Sequence, residues 1–156
     1  MIYKHATHLK KPVRFSDTLD IVAVPDSTAV ARIFLKRTLQ HWRAAHVIDD
    51  MLTVGTELVT NAIKVCEQYA DGQWKRMPTS KLIRIRLLGF GSSVAVEVWD
   101  RCPSEPQLLP LDFERENGRG LYMVDALSVG WGFYPVAPWG KVVWSELSVM
   151  QQAVMA

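Results

Sequence analysis

Cysteine is scarce in this chain: among 156 residues only Cys66 and Cys102 occur, one within a helical pattern and one in a proline-rich stretch. Two thiols in such different settings do not make a disulfide framework, and a reducing cytoplasm is the expected compartment. Long apolar runs are also missing. No stretch approaches the roughly 18 apolar residues of a membrane span. The opening "MIYKHATHLKK" is basic and polar with no apolar segment after it, so neither membrane anchoring nor export is expected. Charge of one sign is lacking as well. The formal net charge is +2, and Lys and Arg form no block longer than a pair such as Lys10-Lys11, which argues against a nucleic-acid partner. Internal repeats and low-complexity tracts are absent. What remains is a composition of 49% hydrophobic and 22% charged residues, enough to bury the core of one globular domain.

The periodicity changes in an orderly way along the chain. After a first segment, residues 1–13, that is expected to be loose, "VRFSDTLDIVAVP" reads as extended and is closed by Pro25. Asp26 or Ser27 is expected to cap a first helix running from Ala29 to about Ala45, and Asp49 repeats that signal for a second. In residues 51–69, Met51, Val54, Leu58, Ala62, Val65 and Tyr69 recur at three- and four-residue steps and make one apolar side. "ADGQWKRMPTS" interrupts, and then "KLIRIRLL" and "SVAVEVWD" read as two strands joined by a short hairpin. "RCPSEPQLLPLDFEREN" carries three prolines and an acidic end and is expected to be a mobile loop. A helix over 118–127, the strands "VGWGFY" and "KVVWSELS", and a short tail, 149–156, complete the chain. Because helices and strands do not alternate one by one, the expected fold is an α/β two-layer sandwich. Its sheet would be antiparallel or mixed, with the helices on one face.

Three stretches bear on chemistry. "ELVTNAIK" places Glu57, Asn61 and Lys64 at i, i+4 and i+7, so a carboxylate, an amide and an ammonium share one helical stripe. From spacing alone, a solvated polar face explains this most simply. In "SVAVEVWD", alternation sets Asp100 on the face of Val94, Val96 and Val98, while Glu97 and Trp99 share the other. A carboxylate on an apolar face needs a fixed donor. That donor is either a structural partner, such as a loop N–H or an arginine, or a ligand.

"ENGRGLYMVDAL", residues 116–127, sets Gly118 and Gly120 one residue apart in front of a helix. A P-loop would need Lys and Ser or Thr next, but Leu121, Tyr122 and Met123 follow. A dinucleotide fingerprint needs a third small residue where Met123 stands, and a strand leading in. Two readings stay open: an ordinary flexible helix start, or a backbone that approaches an anion beside the free N–H groups of a helix, with Arg119 adding charge.

Together and in this order, "ELVTNAIK", "VEVWD" and "NGRGLYMV" resemble the N, G1 and G2 boxes of the GHKL ATPase superfamily. The chain is most similar to the small anti-sigma-factor serine/threonine kinases and their actinobacterial ATP-binding relatives. The resemblance spans residues 15–147 and implies the Bergerat-type ATP-binding fold of the histidine kinase-like ATPases. It implies that Glu57 is a general base, that Asn61 coordinates a magnesium ion (Mg2+) bridging the phosphates of ATP, and that Asp100 accepts from the adenine amino group. Gly118, Gly120 and Leu121 would lie around the phosphates, with Lys64 and Arg119 as further contacts, and residues 101–117 would correspond to the ATP lid. One departure is clear: Asp100 is followed by Arg101, Cys102 and Pro103 where the family's G1 box has two glycines.

The function so implied is an ATP- and magnesium-dependent regulator that binds a sigma factor and phosphorylates an anti-anti-sigma (STAS-type) antagonist. The alternative is a nucleotide-gated binder without phosphoryl transfer. Relatives of this type are commonly dimers, which leaves a homodimer open. A helix-turn-helix DNA binder, from a different class altogether, is disfavoured by the near-neutral charge.

Overall fold

The computed structural model describes residues 6–68, 81–101 and 120–150. Eight principal elements are formed: β1 (Phe15–Val22), α1 (Ser27–His41), α2 (Ile48–Gln68), β2 (Leu82–Gly89), β3 (Ser93–Asp100), α3 (Gly120–Leu127), β4 (Gly130–Pro135) and β5 (Lys141–Ser148). The strands make one sheet in the order β1-β2-β3-β5-β4, and the helices pack against it. The architecture is α/β: a five-stranded antiparallel sheet with three helices.

Of the two arrangements expected, antiparallel or mixed, the described sheet takes the first, with none of the parallel pairing a mixed sheet would have. Every pairing in the described sheet is antiparallel. The physical reason lies in the last hairpin: β4 runs in the same direction as β3 but never pairs with it, because β5 folds back between them and takes both edges.

Local chemistry explains the helix ends, with two differences from expectation. Asp26 sits at the start of α1 in a helical conformation and makes no side-chain capping bond. Backbone bonds take over instead, from the N–H groups of Ser27, Thr28 and Ala29 to the carbonyls of Val24, Pro25 and Asp26. At its other end α1 stops at His41 rather than near Ala45. Arg43 adopts a left-handed φ of 57°, and the N–H groups of Arg43 and Ala44 reach back to Gln40 and Leu39, the paired bonds of a Schellman stop. α2 follows directly on a short 3-10 turn, Ala45–Val47. Asp49 therefore lies inside its first turn with Asp50, where a negative charge complements the positive end of the helix dipole.

Burial follows the periods seen in the sequence. Met51, Val54, Leu58 and Ala62 of α2 are buried, and so are Val94, Val96 and Val98 of β3, in one core that also takes Leu35 and Leu39 of α1 and Leu121 and Val124 of α3. Tyr69, the last residue of the expected stripe, lies outside the described residues. α2 is the hub: it contacts α1, α3, β2, β3 and β5.

The far face of the sheet is not bare. The segment expected to be loose forms a 3-10 turn, Thr7–Lys10, with His8 fully buried. His8 packs its ring 4.6 Å from that of Trp144 and bonds Glu97 at 3.0 Å. Among the described residues no helix is long and apolar enough to cross a membrane.

Candidate functional site

The stripe on α2 meets the head of α3. A Cβ built on Gly120 would collide with Oε2 of Glu57 and stand 3.0 Å from its Cδ. Only a residue without a side chain lets the first turn of α3 come so close to that carboxylate. Gly120 and Leu121 are both buried there, whereas Glu57, Asn61 and Lys64 are half-buried. Partial burial pushes the Glu57 carboxyl above the usual glutamate range, and the positive charge of Lys64 opposes that shift without cancelling it. A carboxyl raised in this way is a better proton acceptor than a solvated one. On the outer side of the stripe, Arg32 of α1 donates to the Thr56 hydroxyl at 2.9 Å, tying the two helices together next to Glu57.

Asp100 lies on the helix side of the sheet, 1% exposed, as alternation in β3 required. Of the two kinds of donor left open, the structure supplies a structural one. The Lys141 ammonium, 4% exposed on the adjacent strand, donates to Asp100 Oδ1 at 2.9 Å. The two residues are register partners in the β3–β5 pairing. Gly140 holds the junction tight. Its φ is +93°, and a Cβ there would collide with the Asp100 carbonyl oxygen and meet the Trp99 indole nitrogen at 2.9 Å. Neither Lys141 nor Gly140 stands out in the sequence beyond the stretch "GKVVWSEL", because only strand pairing brings them to Asp100.

Gly118 and Arg119, and the expected lid beyond Arg101, lie outside the described residues, as does Cys102. Glu57, Asn61 and Lys64 share one helix, and Glu57 is joined there by Gly120. Asp100 enters from β3, which α2 also contacts.

Two clefts flank these residues without containing them. A cleft of about 450 Å³ is walled by Arg101, Phe133, Pro135, Gly140 and Lys141, so Lys141 faces it while its partner Asp100 does not line it. A groove of about 730 Å³ lies on the sheet face away from the helices, between Arg84, Glu97, Trp99, Tyr134 and Trp139. None of the candidate site residues Glu57, Asn61, Lys64, Asp100 and Gly120 lines that groove, whereas Glu97 and Trp99, set by alternation on the other face of β3, do. Glu97, 2% exposed, accepts from His8, from the Tyr134 hydroxyl at 2.6 Å and from Arg86 Nε at 2.6 Å. Burial alone would raise the Glu97 carboxyl, but these three donors more than offset it and hold it below the usual range. The same contact pushes the Tyr134 hydroxyl up, burial being the larger cause.

Among the described residues no three of His, Cys, Asp and Glu converge to hold a metal ion. Comparison with family models and with curated proteins found no match to this chain.

Proposed function

We propose that the chain is an ATP- and magnesium-binding regulator of the GHKL type, with a Bergerat-type fold. It acts in the cytoplasm as an anti-sigma factor that phosphorylates a serine or threonine of an anti-anti-sigma antagonist. The observation that carries this reading is the half-buried Glu57 carboxyl, raised in pKa and set against Gly120 at the first residue of α3. A carboxyl suited to act as a base and the glycine-headed first turn of a helix meet there, an arrangement that supports transfer of a phosphoryl group to a hydroxyl. The residues present fit the group: Asn61, one turn along from Glu57, offers a neutral oxygen, and Asp100 offers a buried acceptor on the same side of the sheet. Magnesium, when bound, supplies neutralisation of phosphate charge.

The chain's own residues divide the work. Glu57 orients the attacking hydroxyl and takes its proton. The backbone at Gly120 and Leu121 donates to phosphate oxygens, and Lys64 adds positive charge on the same stripe. Positioning and electrostatics carry most of the acceleration in such a transfer. Phosphate on the antagonist would then add about two negative charges, enough to release it from an interface.

The test separates two side chains. Asn61→Ala removes a metal ligand, so both magnesium-dependent ATP binding and transfer fall. Glu57→Ala removes the base, so binding persists and transfer to an anti-anti-sigma protein disappears. ATP binding is read from thermal stability: ligand at about 100 times its dissociation constant adds about 2.7 kcal/mol. No shift at millimolar ATP with magnesium defeats the reading. Binding without transfer to a genuine partner leaves a nucleotide-gated binder.

A further inference from the structure

One row of register partners crosses four strands on the sheet face away from the helices: Arg84 of β2 is paired with Trp99 of β3, Trp99 with Val142 of β5, and Val142 with Tyr134 of β4. All four line the groove of about 730 Å³, a volume within the range of small-molecule sites. Neighbouring strands lie about 4.8 Å apart, so the row makes a floor about 14 Å long, with a guanidinium at one end, a phenol at the other and an apolar stretch between. Trp139 stands at its wall, the centre of its ring 5.5 Å from the Arg101 guanidinium carbon. The charges fit an anion. Among the described residues the groove is lined by three arginines and one acid, Glu97. Both Glu97 oxygens are already engaged, Oε1 by Arg86 and Oε2 by His8 and Tyr134. Burial, and after it Glu97, push the Tyr134 ionisation up, so the groove meets a neutral hydroxyl there. Arg84 gives Nε and Nη2 to the two oxygens of Asp20, which does not itself line the groove. That fork leaves Nη1 with two N–H groups, their plane fixed by Asp20. The Arg84–Asp20 pair is exposed, and an ion pair of that kind is weak, so an arriving carboxylate can share the guanidinium.

We propose that this groove is a binding site for a small aromatic carboxylate, whose ring lies between Trp99 and Trp139 and whose carboxylate accepts from Arg84. Flat rings pack well against indole faces, and a guanidinium meets a carboxylate in its own plane through charge-assisted hydrogen bonds. An uncharged ring gains only the first of these contacts, and a carboxylate without a ring only the second. The site lies on the opposite side of the sheet from Glu57 and Gly120, so the inference stands apart from the nucleotide reading above.

The experiment follows the indole N–H signals of the isotope-labelled full chain by NMR while naphthoate, its uncharged amide naphthamide, or acetate is added. Naphthoate is expected to move the Trp99 and Trp139 signals saturably and to leave those of Trp42 and Trp131, which pack with the core on the other side of the sheet, in place. Naphthamide and acetate should bind about tenfold more weakly, the scale of one charge-assisted hydrogen bond. Arg84→Gln lowers naphthoate affinity by about the same factor and leaves that of naphthamide unchanged, whereas Trp139→Ala weakens both. Trp99 and Trp139 signals that stay still at millimolar naphthoate overturn the proposal. Equal binding of naphthoate and naphthamide also overturns it, as does an Arg84→Gln protein with the parental affinity for naphthoate. Movement confined to Trp42 or Trp131 places the probe elsewhere and has the same force. If only a peptide of alternating Glu and Phe moves the groove signals, the surface docks a protein segment and the small-molecule assignment fails. Should Arg84→Gln not fold, the ratio of naphthoate to naphthamide affinity in the parent decides.

Discussion

Glu57 stands at a conflict between stability and use. Its carboxyl is raised by burial, so the folded protein holds that proton more tightly than the unfolded chain does. Stability from this group is therefore largest at low pH and declines as pH rises from the unfolded value near 4.5 through the raised folded one. Glu57→Gln removes the cost of a half-buried charge. The variant is expected to melt about 1–3 °C above the parent at pH 7, an effect kept small by solvent screening, with the difference closing near pH 4. Thermal melts across that range check it, and a parent that is the more stable at pH 7 contradicts the assignment of strain to this carboxyl. Gly120 is the other half of the contact. Gly120→Ala places a methyl group where the carboxylate lies, and either α3 or Glu57 must move. The expected cost is about 1–3 kcal/mol, read from denaturant midpoints.

At the scale of elements, the turn Thr7–Lys10 behaves as a clasp on the sheet. One imidazole, stacked against Trp144 and bonded to Glu97, holds it, and Lys11 adds a 2.7 Å ion pair to Glu146. His8→Ala leaves a cavity beside Trp144 and takes one donor from the buried Glu97. The expected loss is about 2–4 kcal/mol, and hydrogen exchange at residues 7–11 should accelerate far more than in β3. Unchanged exchange in that segment would mean that the clasp is held elsewhere. The three donors to Glu97 come from the N-terminal turn, β2 and β4, so this one carboxylate ties the turn and the edge strand β4 to an inner strand of the sheet.

Across the whole molecule, acid stability should follow Glu97. Its folded pKa is depressed below the unfolded value near 4.5. It thus contributes stability that is present above that pH and is lost as pH falls through the folded value. Glu57 acts in the opposite direction but is half-exposed and weaker. The parent's melting temperature is expected to fall steeply below about pH 4.5. Glu97→Gln should be less stable at neutral pH by about 2–4 kcal/mol and should show a flatter acid limb. If the acid limb of the variant matches the parent's, other carboxylates carry the effect.

The sequence by itself determined the order of elements and most of their faces. Alternation in "SVAVEVWD" and "KVVWSELS" located β3 and β5 to the residue and put Asp100 on the buried side. The 3.6-residue period of α2 identified its apolar stripe and, opposite it, Glu57, Asn61 and Lys64. These signals are local, repeating over two to four residues, so they survive without a fold. Tertiary structure alone decided which strands are neighbours and hence the antiparallel sheet, with β5 between β3 and β4. It also decided that Lys141 answers Asp100 from 41 residues away, that Gly120 meets Glu57, and that His8 closes on Glu97 across 89 residues. No period links such positions. They come together because burial of the shared core brings the strands and helices into contact, and each charge buried in the process must find a partner from whichever element arrives beside it.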